Sequence, residues 1–238
     1  MSGLAARLAE LRARIDARAR KAGRDPAAVK LLAVTKTHPP ERVLEAVSAG
    51  LRAFGENRVQ EADAKIPAVA AAAGVPLEWH LVGSLQRNKA ARAAALFDVV
   101  HSVDRAPLAA ALERGAAAAG RHIQVLLQVN VDAEPQKGGA APAELAELAR
   151  AVDACAHLRL VGLMTVPRAC ADPEEVRPSF ARMRSLLGEL NRGRAVPLAE
   201  LSMGMSDDFE VAVEEGATWL RIGTALFGAR NGGAREKA

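Results

Sequence analysis

One lysine stands where its side chain could do covalent chemistry. Lys36 ends a run from residue 29 to 36 whose apolar positions are typical of a strand buried on both faces. A charged amine at the end of such a strand is costly unless it is paired, neutral or covalently used. Burial readily turns lysine into a neutral nucleophile, which can form a Schiff base with a carbonyl compound. The alternative is that Lys36 extends past the strand end and keeps its ammonium group in water.

Two segments further along the chain carry residues that suit a phosphate group. Ser206 precedes Asp207, Asp208 and a helical stretch, so its hydroxyl is expected at the start of a helix. Gly223 would let a phosphate approach the backbone, and Thr224 would add a hydroxyl. In the absence of a ligand, the serine would be simply an N-cap, and the glycine and threonine would form a turn between a strand and a helix.

Side-chain alternation along the last predicted strand places an arginine on its inner face. Leu220 and Ile222 would pack outward against helices, and Arg221 would then point into the interior, towards the same end as Lys36. A buried arginine needs a partner. A ligand atom or a carboxylate such as Glu200 could supply one, and a purely structural salt bridge is the alternative.

Eight short apolar or β-branched segments predict strands, and helical patterns separate them. The strand segments are 30–36, 53–57, 78–83, 98–104, 123–131, 159–167, 200–206 and 218–224. The helical patterns include 41–49, 56–73, 86–96, 107–119, 142–155, 173–190 and 207–215. This alternation predicts βαβ units and a parallel sheet.

Eight such units in 238 residues match one closed (β/α)8 TIM barrel, an α/β fold, with an extra N-terminal helix at 3–22. We expect one domain over residues 1–238, ending in a short polar tail at 231–238. An open doubly wound sheet is the alternative, but no glycine-rich phosphate loop follows the first strand. Barrels of this kind carry their chemistry at the carboxyl ends of the strands.

The predicted strand ends therefore bring the candidate site residues together. Lys36 ends the first predicted strand, Asn57 the second, and Ser206 the seventh. Gly223 and Thr224 end the eighth. A Schiff-base lysine beside residues that hold a phosphate describes a site for pyridoxal 5′-phosphate (PLP). His80, near the end of the third strand, either touches this site or is a satisfied histidine at the barrel rim.

The composition disfavours several other classes of function. The formal charge of +4 is spread along the chain, and aromatic residues make up only 3%, so nucleic-acid binding is not favoured. The two cysteines lie outside any metal-binding or disulfide pattern, which fits a reducing compartment and a cytoplasmic protein. No apolar stretch is long enough to cross a membrane, and charges interrupt the N-terminal segment, so we expect neither a membrane span nor a signal peptide.

Six short stretches, taken together, carry a specific resemblance. They are 33–37, 54–61, 79–89, 162–164, 201–208 and 221–228. In this order and combination the sequence resembles the PLP homeostasis protein family, and the stretches run through almost the whole chain. One small departure is Thr35, where many members have serine.

The resemblance implies a barrel related to the N-terminal domain of alanine racemases, without their second β-domain. It implies a site in which Lys36 holds PLP as a Schiff base, Arg221 faces the pyridine nitrogen and Asn57 lies beside the cofactor. Three residues would hold the phosphate: Ser206, Gly223 and Thr224. No metal site is expected.

Three functions remain open at this point. The first is a non-catalytic PLP-binding protein in vitamin B6 homeostasis, which could pass PLP to PLP-dependent apo-enzymes. The second is a PLP-dependent enzyme that resembles an amino-acid racemase, and a weaker third is a Schiff-base aldolase acting on a sugar phosphate. Related racemases pair their lysine with a tyrosine, and this sequence has no tyrosine, which favours the first function. A monomer is expected because the domain that builds racemase dimers is absent.

Overall fold

A closed barrel of eight parallel strands forms the centre of the computed structural model, which describes residues 3–228. The strands are β1 (Lys30–Val34), β2 (Ala53–Glu56), β3 (Glu78–Leu81), β4 (Val99–Val103), β5 (Ile123–Gln128), β6 (Leu158–Met164), β7 (Glu200–Ser202) and β8 (Trp219–Ile222). They lie side by side in chain order, and β8 pairs with β1 to close the barrel. The predicted (β/α)8 barrel is confirmed. The polar tail expected at 231–238 lies outside the described residues.

Helices surround the strands, and all but the first and the last of the described helices connect one strand to the next. They are α1 (Gly3–Lys21), α2 (Pro40–Ser48), α3 (Val59–Ala73), α4 (Ala90–Leu96), α5 (Ala106–Ala118), α6 (Leu145–Asp153), α7 (Arg177–Asn191), α8 (Phe209–Glu214) and α9 (Thr224–Phe227). Short 3-10 turns at Pro26–Ala28, Arg87–Lys89, Pro142–Glu144 and Pro173–Val176 precede a strand or a helix. Within residues 3–228, none of the helices has the length and apolar character needed to cross a membrane.

The extra N-terminal helix α1 packs against α8 and α9 at the end of the barrel sequence. Its apolar residues recur at helical spacing and are buried on one face, as Leu4, Leu8, Leu11 and Ile15 show. Arg18 of the same helix forms ion pairs with Glu210 and Glu214 of α8. Helix α1 therefore packs against the barrel beside α8 and α9.

The strands end earlier than the sequence pattern predicts. β7 stops at Ser202, because Gly204 has a positive φ of 93° and turns the chain out of the sheet. A Cβ atom at this position would lie 2.5 Å from the Cβ of Ala212, so the turn also needs the absence of a side chain. The residues beyond the observed strand ends form the loops at the carboxyl-terminal face, where the candidate site lies.

Candidate functional site

Lys36 lies on a tight turn at the end of β1. The strand stops at Val34, but the N–H of Thr35 still donates to the carbonyl of Gly55 at 2.9 Å, so the backbone stays against β2. Lys36 follows and is half-buried. Thr37 then adopts a φ of 65°, in the left-handed region. A β-branched residue is strained there, so neighbouring groups must hold the turn in place.

The end of β8 lies beside this turn. Ala33 pairs with Ile222, which brings Gly223 next to Val34. A Cβ atom built on Gly223 would come no closer than 3.6 Å to the Val34 carbonyl oxygen, and the φ of Gly223 is −114°. The packing of the protein therefore leaves room for a side chain here, and glycine keeps that space open above the backbone. Thr224 begins α9 and is exposed beside it.

Ser206 joins the loops that follow β7 and β8. Its hydroxyl oxygen accepts a hydrogen bond from the N–H of Ala225 at 3.2 Å. The expectation that Ser206 stands at the start of the helix that directly follows it is wrong, because α8 begins at Phe209 after its N-cap Asp208. The serine hydroxyl instead lies at the start of α9 and thus beside the end of β8.

Arg221 is the buried charge beneath these loops. It is 5% exposed and donates from Nη1 to Ser202 Oγ and from Nη2 to the Thr165 carbonyl, each at 2.8 Å. Burial lowers the pKa of Arg221 to about 10, although the nearby charge of Asp208 opposes the shift. Arg221 therefore remains protonated at neutral pH and acts only as a donor.

Glu200 is not the partner of Arg221. Its carboxylate accepts from Lys30 Nζ at 2.5 Å and from the Thr218 hydroxyl at 2.6 Å. The two residues differ in height along the barrel: Glu200 begins β7, whereas the backbone N–H of Arg221 donates to the Gly204 carbonyl beyond the end of β7. Side-chain alternation indicates the face on which a residue lies, but it does not give this height.

A line of buried polar side chains continues from Arg221 through the barrel interior. His101 Nδ1 lies 2.9 Å from Ser202 Oγ, and its Nε2 lies 2.8 Å from His80 Nδ1. His80 Nε2 lies 3.3 Å from a carboxylate oxygen of Glu78, at the start of β3. Both histidines are fully buried. His80 is thus an interior residue rather than a residue of the barrel rim.

The chemistry of Arg221 sets the proton positions along this line. A guanidinium only donates, so Ser202 Oγ accepts from it and gives its own proton to His101 Nδ1. Burial holds the pKa of His101 well below its usual 6.5, so this ring carries one proton, on Nε2, and donates it to His80. His80 then carries its proton on Nε2, towards Glu78. The opposite assignment would leave the Ser202 hydroxyl without an acceptor among the described residues.

Asn57 follows β2 and is held by a close backbone contact. A Cβ atom on Gly83 would lie 2.1 Å from the Asn57 carbonyl oxygen, so the loops after β2 and β3 meet where no side chain fits. Close approach, rather than a positive φ, is the reason for glycine at this position. Asn57 itself is half-buried at the same face of the barrel as Lys36.

A buried ionic cluster supports the Lys36 turn, and our sequence reasoning missed it. Lys65 Nζ donates to the Thr35 carbonyl at 2.8 Å and to Glu56 Oε1 and Glu61 Oε1 at 2.7 Å each. Glu61 and Lys65 lie four residues apart on α3, a spacing that favours an ion pair and was the available signal. We call these four residues, Thr35, Glu56, Glu61 and Lys65, the Lys65 cluster.

Comparison with known proteins places the chain among close relatives. The family model described as "Alanine racemase, N-terminal domain" matches residues 6–231. The PLP homeostasis protein of Pseudomonas aeruginosa is 51% identical over 234 residues, covering 98% of this chain and 99% of that protein. The PLP homeostasis protein of Escherichia coli K12 is 42% identical over 232 residues, covering 97% and 98%.

Solved structures agree with this relationship. PipY of Synechococcus elongatus PCC7942, solved with PLP bound, is 41% identical and has a TM-score of 0.83, covering 94% of this chain and 100% of that chain. An alanine racemase of Clostridium difficile 630 is 13% identical with a TM-score of 0.68, covering 93% of this chain and 57% of that chain, and so shares the fold alone. On the sequence identities and the barrel together, the chain belongs to the pyridoxal phosphate homeostasis protein family.

Proposed function

We propose that this protein is a non-catalytic PLP-binding protein of vitamin B6 homeostasis, with Lys36 holding the cofactor as a Schiff base. The observation that carries the proposal is the pairing of β1 with β8, which brings the lysine turn beside Gly223. PLP presents an aldehyde and a phosphate on one small ring, so its site needs an amine and an anion-binding group a short distance apart. In the proposed site the two adjacent strand ends would supply both.

The residues around Gly223 fit a phosphate group. Thr224 contributes an exposed hydroxyl, and the Ser206 hydroxyl lies at the same turn. At the start of α9 the N–H of Ala225 donates to Ser206, and those of Leu226 and Phe227 donate to the Gly223 carbonyl. The N–H of Thr224, the first residue of α9, is therefore the backbone donor proposed for the phosphate. The space that a Cβ atom would fill at Gly223 is the route by which an anion reaches this backbone.

Arg221 suits the pyridine nitrogen of PLP as a donor that cannot become an acceptor. Its bonds to Ser202 and Thr165 hold the guanidinium in place beneath the loops. An arginine there keeps the ring nitrogen unprotonated and weakens the electron sink that PLP supplies when it is bound. Asn57, held at the end of β2, would lie beside the ring. This arrangement suits storage better than demanding chemistry at an amino-acid substrate.

The lack of tyrosine favours a carrier over a racemase. Racemisation needs an acid or base on each face of the substrate α-carbon, and this sequence contains no tyrosine to oppose Lys36. We therefore expect no robust turnover when the PLP-loaded protein is assayed against a panel of L- and D-amino acids. Racemase or decarboxylase activity well above that of free PLP would contradict the proposal. Delivery of PLP to apo-enzymes, a monomeric state and a cytoplasmic location are parts of the same proposal.

Borohydride reduction followed by peptide mass mapping tests the Schiff base directly. The purified protein mixed with PLP is expected to absorb in the visible range and, after reduction, to carry the cofactor on the peptide that contains Lys36. A cofactor fixed only on other lysines would contradict the assignment. If a sugar phosphate is trapped on Lys36 while PLP is not, the aldolase alternative replaces it.

Gly223→Ala is expected to weaken PLP binding without unfolding the protein. The new methyl group meets no protein atom closer than 3.6 Å, so the free energy of unfolding should change by less than about 1 kcal/mol. It would occupy the space through which the phosphate approaches, so PLP affinity should fall by about tenfold or more. Equilibrium titration by visible absorbance measures this change.

Pyridoxal, which has the aldehyde but no phosphate, is the matched probe for Gly223→Ala. Its affinity should be the same for the wild-type protein and the variant, because the methyl group lies on the phosphate side. An equal loss for pyridoxal and PLP would mean that Gly223 does not line the phosphate site.

A further inference from the structure

The Lys65 cluster forms hydrogen bonds with the backbone on both sides of Lys36. Lys65 donates to the carbonyl of Thr35, the residue before the lysine. Glu61 Oε1 accepts the backbone N–H of Thr37, the residue after it, at 2.6 Å. The same Glu61 oxygen also accepts from Lys65 Nζ, so one ion pair on α3 fixes both peptide groups that flank Lys36.

Glu56 completes the cluster from the end of β2. Its Oε1 accepts from Lys65 Nζ at 2.7 Å and from the Thr35 hydroxyl at 2.6 Å. Glu56 is fully buried and the Lys65 side chain is 6% exposed, so little water screens the pair. Each of the three ammonium protons of Lys65 thus has one acceptor.

The conformation of Thr37 explains why the turn needs these hydrogen bonds. A β-branched residue with a φ of 65° is strained and persists only where the surroundings hold it. The bond from its N–H to Glu61 is a charge-assisted one, the stronger class of hydrogen bond. Without the cluster, the turn could relax, and the backbone that carries the Lys36 side chain would change its conformation.

We propose that Lys65 and Glu61 are positioning residues that hold the amine of Lys36 at the distance and angle needed to bond a phosphate-anchored aldehyde. The inference rests on the proposed function and extends it, because it assigns the accuracy of the Schiff-base site to two residues of α3. These residues act through the backbone of Thr35 and Thr37. They leave the proposed phosphate residues, which follow β7 and β8, unaffected.

Paired titrations with PLP and pyridoxine 5′-phosphate test this assignment. Pyridoxine 5′-phosphate has the ring and phosphate of PLP but an alcohol in place of the aldehyde, so it cannot bond to an amine. For Lys65→Met we expect the PLP dissociation constant to rise about tenfold or more, while that of pyridoxine 5′-phosphate changes less than about twofold. Equal losses for the two ligands, or no loss for either, would overturn the proposal.

Glu61→Gln is the second variant, because Lys65→Met removes a buried charge from its partners and could prevent folding. Glu61 is 27% exposed, and glutamine keeps an acceptor oxygen while removing the charge. Its PLP affinity should fall by a smaller factor, again with pyridoxine 5′-phosphate unchanged. Asp63→Asn is the matched control: Asp63 lies on the same helix, but its carboxylate pairs with Arg92 on the exposed side. Its affinity for PLP should equal that of the wild type.

Labelling of the cofactor-free protein separates this proposal from the proposed function. If wild-type protein captures no PLP on Lys36, the proposed function fails. The positioning role is then judged from the rate at which acetic anhydride labels Lys36, followed by peptide mass mapping. A rate altered by Lys65→Met or Glu61→Gln but unaltered by Asp63→Asn supports positioning, and an unaltered rate in both variants overturns it.

Discussion

Lys36→Ala protein is expected to lose the visible absorbance that wild-type protein shows with PLP. The methyl side chain offers no amine to the aldehyde, so borohydride should add no cofactor mass to the peptide that contains position 36. Residual affinity from the phosphate residues alone should remain and should be equal for PLP and pyridoxine 5′-phosphate. The measurement is a visible spectrum before reduction and peptide mass mapping after it.

Two further variants make the Lys36 result specific. Lys36→Arg keeps the positive charge but cannot form a Schiff base with PLP, so it should also lose the visible absorbance. Lys89→Ala removes a lysine from the 3-10 turn before α4 and should retain wild-type absorbance. Unchanged absorbance in Lys36→Ala would exclude Lys36 as the attachment point.

Gly83→Ala is expected to destabilise the protein and to disturb the site at once. Its Cβ atom would lie 2.1 Å from the Asn57 carbonyl oxygen, and two backbone segments must separate to admit it. Overpacking of this kind costs about 2–3 kcal/mol. For a chain of 238 residues the melting temperature should fall by about 4–12 °C. Since Asn57 must move, PLP affinity should fall too. Thermal unfolding by circular dichroism and PLP titration measure the two effects.

Gly188→Ala is the matched control for Gly83→Ala. Gly188 lies within α7, and a Cβ atom there would meet nothing within 4 Å. Alanine in an exposed helix interior should stabilise the protein by about 0.5–1 kcal/mol. A Gly83→Ala protein as stable as wild type would mean that the loops after β2 and β3 are free to part.

The barrel was predictable because its signal is repeated along the whole chain. Each strand is a short apolar run and each helix an amphipathic one, so a boundary error of a few residues leaves the count of eight unchanged. Barrel closure then assigns the residues after each strand to one face, which is how Lys36 and Gly223 came to be grouped from sequence. The same reasoning predicted correctly that Arg221 is buried.

The partners of these residues were less predictable, because they depend on height within the barrel and on rotamers. The sequence suggested the Glu200 carboxylate as a partner of Arg221, but Arg221 donates to Ser202 and Thr165. The line from Ser202 through His101 joins strands that are not neighbours in the sheet, and no local spacing records such a contact. The Lys65 cluster likewise joins a helix residue to two strand ends.

The pairing of β1 with β8 determines when, during synthesis, the candidate site can form. Lys36 follows the first strand of the barrel and Gly223 the last, and they are neighbours only because these strands pair. During synthesis Lys36 therefore emerges early, but the proposed site is incomplete until β8 has emerged and closed the barrel. A ligand that contacts both strand ends binds only the closed form and stabilises it by mass action. Such a ligand therefore binds only after the chain has been synthesised and folded as far as β8.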